Sequence, residues 1–200
     1  IDPSEVYIIG GHYDSILNTG DPWDTAPGAN DNASGVAAAI EVARVMVANN
    51  FQPASTIEFV AFAAEELGLY GSRSYASRSA GTNKNIALML NNDMIAYEKR
   101  TDPNTWLVNI LDYDNSVSER LNAQLMADNY TVLNTYNDNT YQKYSDSYAF
   151  FENGYPAIFF IIGSDDPNYH TIDDLAVNCN FEYCKEVTAV SLAILIDKTY

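Results

Sequence analysis

A chain of 200 residues, 47% hydrophobic and with a formal charge of −17, is long enough for one buried core and too acidic to lie against nucleic-acid phosphates or anionic lipid. No apolar run approaches the ~18 residues of a membrane span, so one globular domain over residues 1–200 is expected, with no nucleic-acid and no membrane partner. No leader pattern stands at the start, and the chain reads as a mature form or a fragment.

Strand-like and helix-like stretches then alternate. Val6 to Gly10 (VYIIG) is a continuous apolar run, the pattern of a strand buried on both faces. A helix opens at Asn32 or Ser34 and runs through the alanine-rich ASGVAAAIEVARVMVANN. Thr56 to Ala63 is the second strand, Gly71 to Ala80 a short helix, and Ile86 to Asn91 the third strand. Trp106 to Leu111 follows as a strand and Ser116 to Asn129 as a helix. Ser145 or Asp146 is expected to cap a helix that ends at Asn153, before Gly154 and Pro156. Ala157 to Ile162 is the last strand and Glu182 to Lys198 the closing helix. This alternation predicts an α/β fold, a three-layer α/β/α sandwich around a mostly parallel mixed central sheet. Cys179 and Cys184 lack the second pair a zinc finger needs. A local disulfide is open to them if the backbone turns between them, and it would suit an oxidising compartment.

The chemistry-bearing residues fall just after the strand runs, where open α/β sheets bind ligands. His12 stands in VYIIGGHYDS, Asp31 in PGANDNASG, Glu66 in FVAFAAEELGLYGS, Asp93 in LMLNNDM and His170 in NYHTIDD. Imidazole nitrogens and carboxylate oxygens are donors that zinc accepts, and the absence of cysteine from the set favours a catalytic centre over a structural one. The charge of two Zn2+ ions exceeds that of Asp31, Glu66 and Asp93 by one, which a bridging hydroxide would neutralise. Five protein ligands for two metals require one carboxylate to bridge. His12 and Asp14 point the same way on an extended segment, so Asp14 is expected to accept a hydrogen bond from the free ring nitrogen of His12. Asp173 or Asp174 would do the same for His170. Of Glu65 and Glu66, one would ligate metal while the other takes a proton from water and passes it to the leaving amine. Each motif alone is weak: a histidine after a strand is usually a satisfied polar residue, an EE pair is usually surface, and PGAND is usually a turn. Yet the chain has only two histidines, and both fall in motif contexts.

Taken in order, GGHYDS, PGANDNASG, AAEELGLYGS, NNDM, YSDSYAFFENGYPA and YHTIDD resemble the co-catalytic zinc aminopeptidases typified by the secreted leucyl aminopeptidases of vibrios and streptomycetes. The resemblance covers nearly the whole chain. It implies two Zn2+ per chain, with Asp31 bridging, His12 and Asp93 completing one metal's ligands, and Glu66 with His170 the other's. It implies Glu65 as general base and then acid, acting on a water that bridges the two zincs, with Asp14 supporting His12, and a cis peptide at Asp31–Asn32. A tyrosine would stabilise the oxyanion; Tyr141 and Tyr144 both suit, with Tyr144 preferred. Many relatives read SDH where this chain has Ser145, Asp146 and Ser147, so contacts around the ligands or the substrate are expected to differ there. Relatives also carry a strand and helix ahead of the GGHYDS strand, so the sheet is expected to be truncated at its N-terminal side and its edge to allow a monomer or weak dimer.

The implied function is a metallo-exopeptidase, an aminopeptidase acting on a peptide with a free N-terminus, secreted or periplasmic. Apolar first side chains are the default expectation by analogy alone. The competing readings are a glutaminyl-cyclase-like acyl transferase with one zinc, a carboxypeptidase of the same fold, and a noncatalytic interaction module. A carboxypeptidase needs a cation for the substrate carboxylate, and the arginines lie outside the motif segments apart from Arg73. An interaction module would have lost ligands or the base.

Overall fold

In the computed structural model, which describes residues 2–200, the strands are β1 (Asp2–His12), β2 (Ser55–Phe62), β3 (Asn85–Asn92), β4 (Leu107–Leu111), β5 (Asn134–Tyr136) and β6 (Ala157–Ile162). They form one sheet in the order β2-β1-β3-β6-β4-β5. Every pairing is parallel except β4 with β6, so the sheet is mixed and mostly parallel, as expected. The helices are α1 (Pro22–Thr25), α2 (Ser34–Ala48), α3 (Tyr70–Gly81), α4 (Val117–Tyr130), α5 (Ser147–Glu152) and α6 (Phe181–Thr199).

The apolar strand runs are buried on both faces because successive side chains point to opposite sides of a covered sheet. Tyr7 and Ile9 of β1 pack with Val42 of α2, Met126 of α4 and Val190 of α6 in one cluster. Val6 and Ile8 join Ala76 of α3 and Phe150 of α5 in the other. Three helices thus cover one face and two the other, giving the three layers.

Sequence and structure part at the short and polar pieces. β5 was not expected: three residues at a sheet edge are too few to show an alternation, and the segment NTY is held by pairing with β4. The cap of α5 also differs. Asp146 occupies the position, but its backbone is helical (φ −54, ψ −32) and its side chain caps nothing. A capping side chain reaches the first amides from an extended backbone, which Asp146 lacks. Its carboxylate is instead buried, with no hydrogen-bond partner on either oxygen. Cys179 and Cys184 are both free thiols.

The start of α2 shows why a glycine follows Ser34. A Cβ on Gly35 would lie 2.0 Å from the carbonyl oxygen of Asn92, so only glycine lets the helix end sit on the end of β3. Asn32 accepts the Gly35 amide at 2.9 Å and donates to that same Asn92 carbonyl at 2.9 Å. The segment that carries Asp31 is thereby tied to the strand that carries Asp93.

Candidate metal centre

The predicted residues meet at the C-terminal ends of β1, β2 and β3. His12 ends β1, Glu65 and Glu66 follow β2, Asp93 follows β3, Asp31 precedes α2, and His170 lies in the loop after β6. His12 Nε2 is 3.2 Å from Asp31 Oδ1 and 3.4 Å from Asp93 Oδ1. His170 Nε2 is 3.1 Å from Asp31 Oδ2 and 3.1 Å from Glu66 Oε2. The two oxygens of Asp31 therefore face two different donor groups. Glu65 Oε2 lies 3.9 Å from His12 Nε2, beside the first group.

Whether these residues fit metal can be tested on their own bonding. His170 Nε2, Glu66 Oε1 and Asp93 Oδ1 are buried without a hydrogen-bond partner. Orphaned atoms of this kind are costly in a folded chain unless something else satisfies them. Nitrogen and carboxylate donors from His12, Asp31 and Glu66, and from His12, Glu65 and Asp93, lie close enough together to share an ion. Four carboxylates and two imidazoles with no lysine or arginine paired into them suit divalent zinc.

Electrostatics say the same. Burial and then the adjacent Asp93 push the Glu65 carboxyl up to about 9, against the opposing imidazole of His12. Burial raises Glu66 as well, with the His170 contact opposing. Burial works against a charged His170, but the carboxylates of Asp31 and Glu66 outweigh it and raise the ring to about 9. With Glu65, Glu66 and the His170 ring all held above their usual values, this part of the site is short of positive charge.

The supporting contacts differ in part from expectation. The Asp14 carboxylate lies 3.7 Å from His12 Nδ1, and the ring nitrogen is instead 3.0 Å from the Asp14 backbone carbonyl. The carboxylate is occupied by the amides of Glu65 and Glu66, at 3.1 and 3.2 Å, because β2 ends directly beside β1 and presents those two N–H groups. Asp173 is exposed and makes no contact with the His170 ring; its own amide donates to Thr171 Oγ1. Its neighbour Asp174 accepts the amides of Asn30 and Asp31 at 2.7 and 3.0 Å, and so positions the Asp31 segment. Ser145, noted in sequence only as part of the departure from SDH, donates to Asp93 Oδ2 at 2.6 Å. The peptide Asp31–Asn32 is cis. Three non-glycine residues with left-handed backbone flank the donors: Ala64 (φ 57), Met94 (φ 53) and His170 itself (φ 56). Such conformations cost roughly 1–2 kcal/mol each and persist where the surroundings over-determine them.

A cavity of about 500 Å3 opens from the donors across the ends of β6, β4 and β5. Tyr141 and Tyr144 line it, with Tyr144 72% exposed at its mouth. Sequence reading passed over Tyr169, which also lines the cavity and stacks on His170 with ring centroids 3.7 Å apart. Burial and the carboxylates of Asp31 and Glu66 raise its hydroxyl well above the usual tyrosine range. Adjacency to His170 was the available signal.

Comparison with known proteins bears on the fold and the family. A probable zinc metalloprotease of Leptosphaeria maculans is 30% identical over 233 aligned residues, covering 97% of this chain and 54% of its own length. The LapA aminopeptidase of Legionella pneumophila superposes with a TM-score of 0.85 at 24% identity, covering 98% of this chain and 52% of that one. The zinc aminopeptidase BSAP of Bacillus subtilis superposes with a TM-score of 0.79 at 28% identity, covering 98% and 46%. The chain thus spans about half the length of each of these proteins. The profile of peptidase family M28 matches residues 2–195, and the chain belongs to that family.

Proposed function

We propose that the chain is the catalytic part of a zinc-dependent aminopeptidase that holds two Zn2+ ions and uses Glu65 as general base. The observation that carries the reading is the split about Asp31: one oxygen faces His12 and Asp93's side, the other His170 and Glu66, with Glu65 left over beside them. Asp31 would then serve both metals, one through each oxygen. Zinc bound there would polarise a peptide carbonyl and lower the pKa of water. Glu65, fixed through its amide by Asp14, takes the proton from the attacking water and returns it to the leaving amine. Ser145 and Asp174 hold Asp93 and the Asp31 segment in place. Tyr169, which lines the cavity and stacks on His170, joins Tyr144 as a candidate donor to the oxyanion. The carboxylates also suit the free amine of a peptide.

Zinc content and cleavage of aminoacyl amides, with N-acetylated amides as controls, test this. Two ions per chain and hydrolysis of the free-amine substrates alone are expected. One ion with cyclisation of glutaminyl peptides would replace the reading with the cyclase. Lys99 on the cavity wall supplies the cation a carboxypeptidase needs. Three carboxylates on the same wall oppose that reading, and cleavage of N-blocked peptides with a free carboxyl group would establish it.

A further inference from the structure

The chain carries the pattern Asn-X-Ser/Thr twice, at Asn32-Ala33-Ser34 and at Asn129-Tyr130-Thr131. The fold treats the two oppositely. Asn32 is 1% exposed; its side-chain nitrogen donates to the Asn92 carbonyl at 2.9 Å and its side-chain oxygen accepts the Gly35 amide at 2.9 Å. A sugar on that nitrogen would break the tie between the Asp31 segment and β3, so the folded protein excludes it. Asn129 is exposed in the last turn of α4, and among the described residues its side chain takes part in no hydrogen bond. The helix stops directly after it, with Thr131 extended (φ −136, ψ 175).

The place of Asn129 on α4 is a second observation. Val117, Leu121, Leu125 and Asn129 follow one another at intervals of four, the spacing of a single row on a helix surface. The three apolar members of that row are all exposed. Side chains of a helix slant toward its N-terminus, so Asn129 is aimed back along the row at Leu125.

We propose that Asn129 is an N-glycan acceptor, that its glycan lies over the exposed apolar row of α4, and that Asn32 stays unmodified in the folded protein. The metal centre and the aminopeptidase reading play no part in this assignment. The donor is an oligosaccharide headed by N-acetylglucosamine and carried on a polyprenyl diphosphate. Asn129 Nδ2 forms a bond to the anomeric carbon, the carbon–oxygen bond to the diphosphate breaks, the diphosphate leaves as an anion and the amide gives up one proton. Transfer precedes closure of the helix end, because in the folded chain the Thr131 hydroxyl is engaged, donating to the Ala127 carbonyl at 2.8 Å and accepting the Leu133 amide at 3.2 Å. A bulky, hydrated glycan there covers apolar surface that otherwise invites association.

The test is to express the full chain in yeast behind a cleavable secretion leader. Peptides from secreted and cell-retained protein are mapped alike by mass spectrometry, before and after a glycosidase that cleaves the glycan from the amide and leaves Asp. One glycan is expected, at Asn129, with Asn32 recovered bare in the secreted protein. Asn129→Gln should lose the glycan, and Thr131→Ser, which keeps the pattern, should retain it. Occupancy is read on the wild type, so the result does not depend on a variant folding. The glycosidase-treated protein should bind an apolar dye more strongly than the untreated protein, and Leu121→Gln with Leu125→Gln should remove that difference. Wild-type protein with Asn129 bare, or secreted protein glycosylated at Asn32, overturns the acceptor assignment. Equal dye binding before and after glycosidase overturns the cover over α4.

Discussion

Glu65 and Glu98 are the same residue type at almost the same depth, 8% and 7% exposed, and near the same cavity, yet the fold treats them oppositely. Glu98 has every need met: it accepts from the amides of Arg100 and Leu107, from the Arg100 guanidinium and from Ser164. These contacts overcome its burial and hold its carboxyl below the usual range. Glu65 sits among Asp93, Asp146 and Glu66, and burial with those neighbours lifts it to about 9. One carboxylate is consumed in holding a loop. The other is kept costly and free to act, which is how reactive groups differ from structural ones.

The largest effect should come from the free member of the pair. Glu65→Gln is expected to lower kcat by about 10²–10⁴-fold while metal content stays at the wild-type level. Metal loss in that variant would mean that Glu65 is a ligand and that Glu66 is the base. Asp31→Asn sharpens the contrast from the ligand side. If one carboxylate serves both donor groups, both ions should be lost together in metal analysis, and retention of either would remove Asp31 as the bridge.

For the structural member, Glu98→Gln should cost roughly 1–3 kcal/mol through weakened charged hydrogen bonds. The cost should also depend on pH. Because the folded carboxyl is held low, its contribution is present above the unfolded value of about 4.3 and is lost as pH falls through the lowered folded value. The gap in melting temperature between wild type and variant should therefore be full near about pH 6 and narrow toward about pH 3. A gap that does not change with pH would show that shape, and not charge, is what Glu98 supplies. The smallest effect concerns the backbone beneath Glu65. Ala64→Gly removes a left-handed alanine and should stabilise the fold by roughly 0.5–1 kcal/mol in denaturant melts, with no stabilisation expected from glycine at extended positions.

Some of this was legible in the chain before any folding. AIFFII was bounded correctly as a strand at both ends, because an uninterrupted apolar run between Pro156 and Gly163 has few other uses. The two histidines and their acidic partners were legible for a similar reason: metal chemistry restricts donors to a few residue types, and strand ends are where an open sheet places them. What the sequence could not say was which groups touch. Asp14 reaches the amides of Glu65 and Glu66, Asp174 reaches Asn30 and Asp31, and Ser145 reaches Asp93. Each contact joins residues brought together by sheet order or loop return, and no local pattern records it.

The sequence by itself therefore determined the layered fold, through local periodicity, and the family, through the resemblance of its motifs, and it named candidate donors by residue type. The tertiary structure decided the contacts of Asp14 with the Glu65 and Glu66 amides, of Asp174 with the Asp31 segment and of Ser145 with Asp93, and the place of Tyr169 against His170. Those properties depend on distances between segments far apart in the chain, and only the packing of β1, β2, β3 and β6 into one sheet sets them.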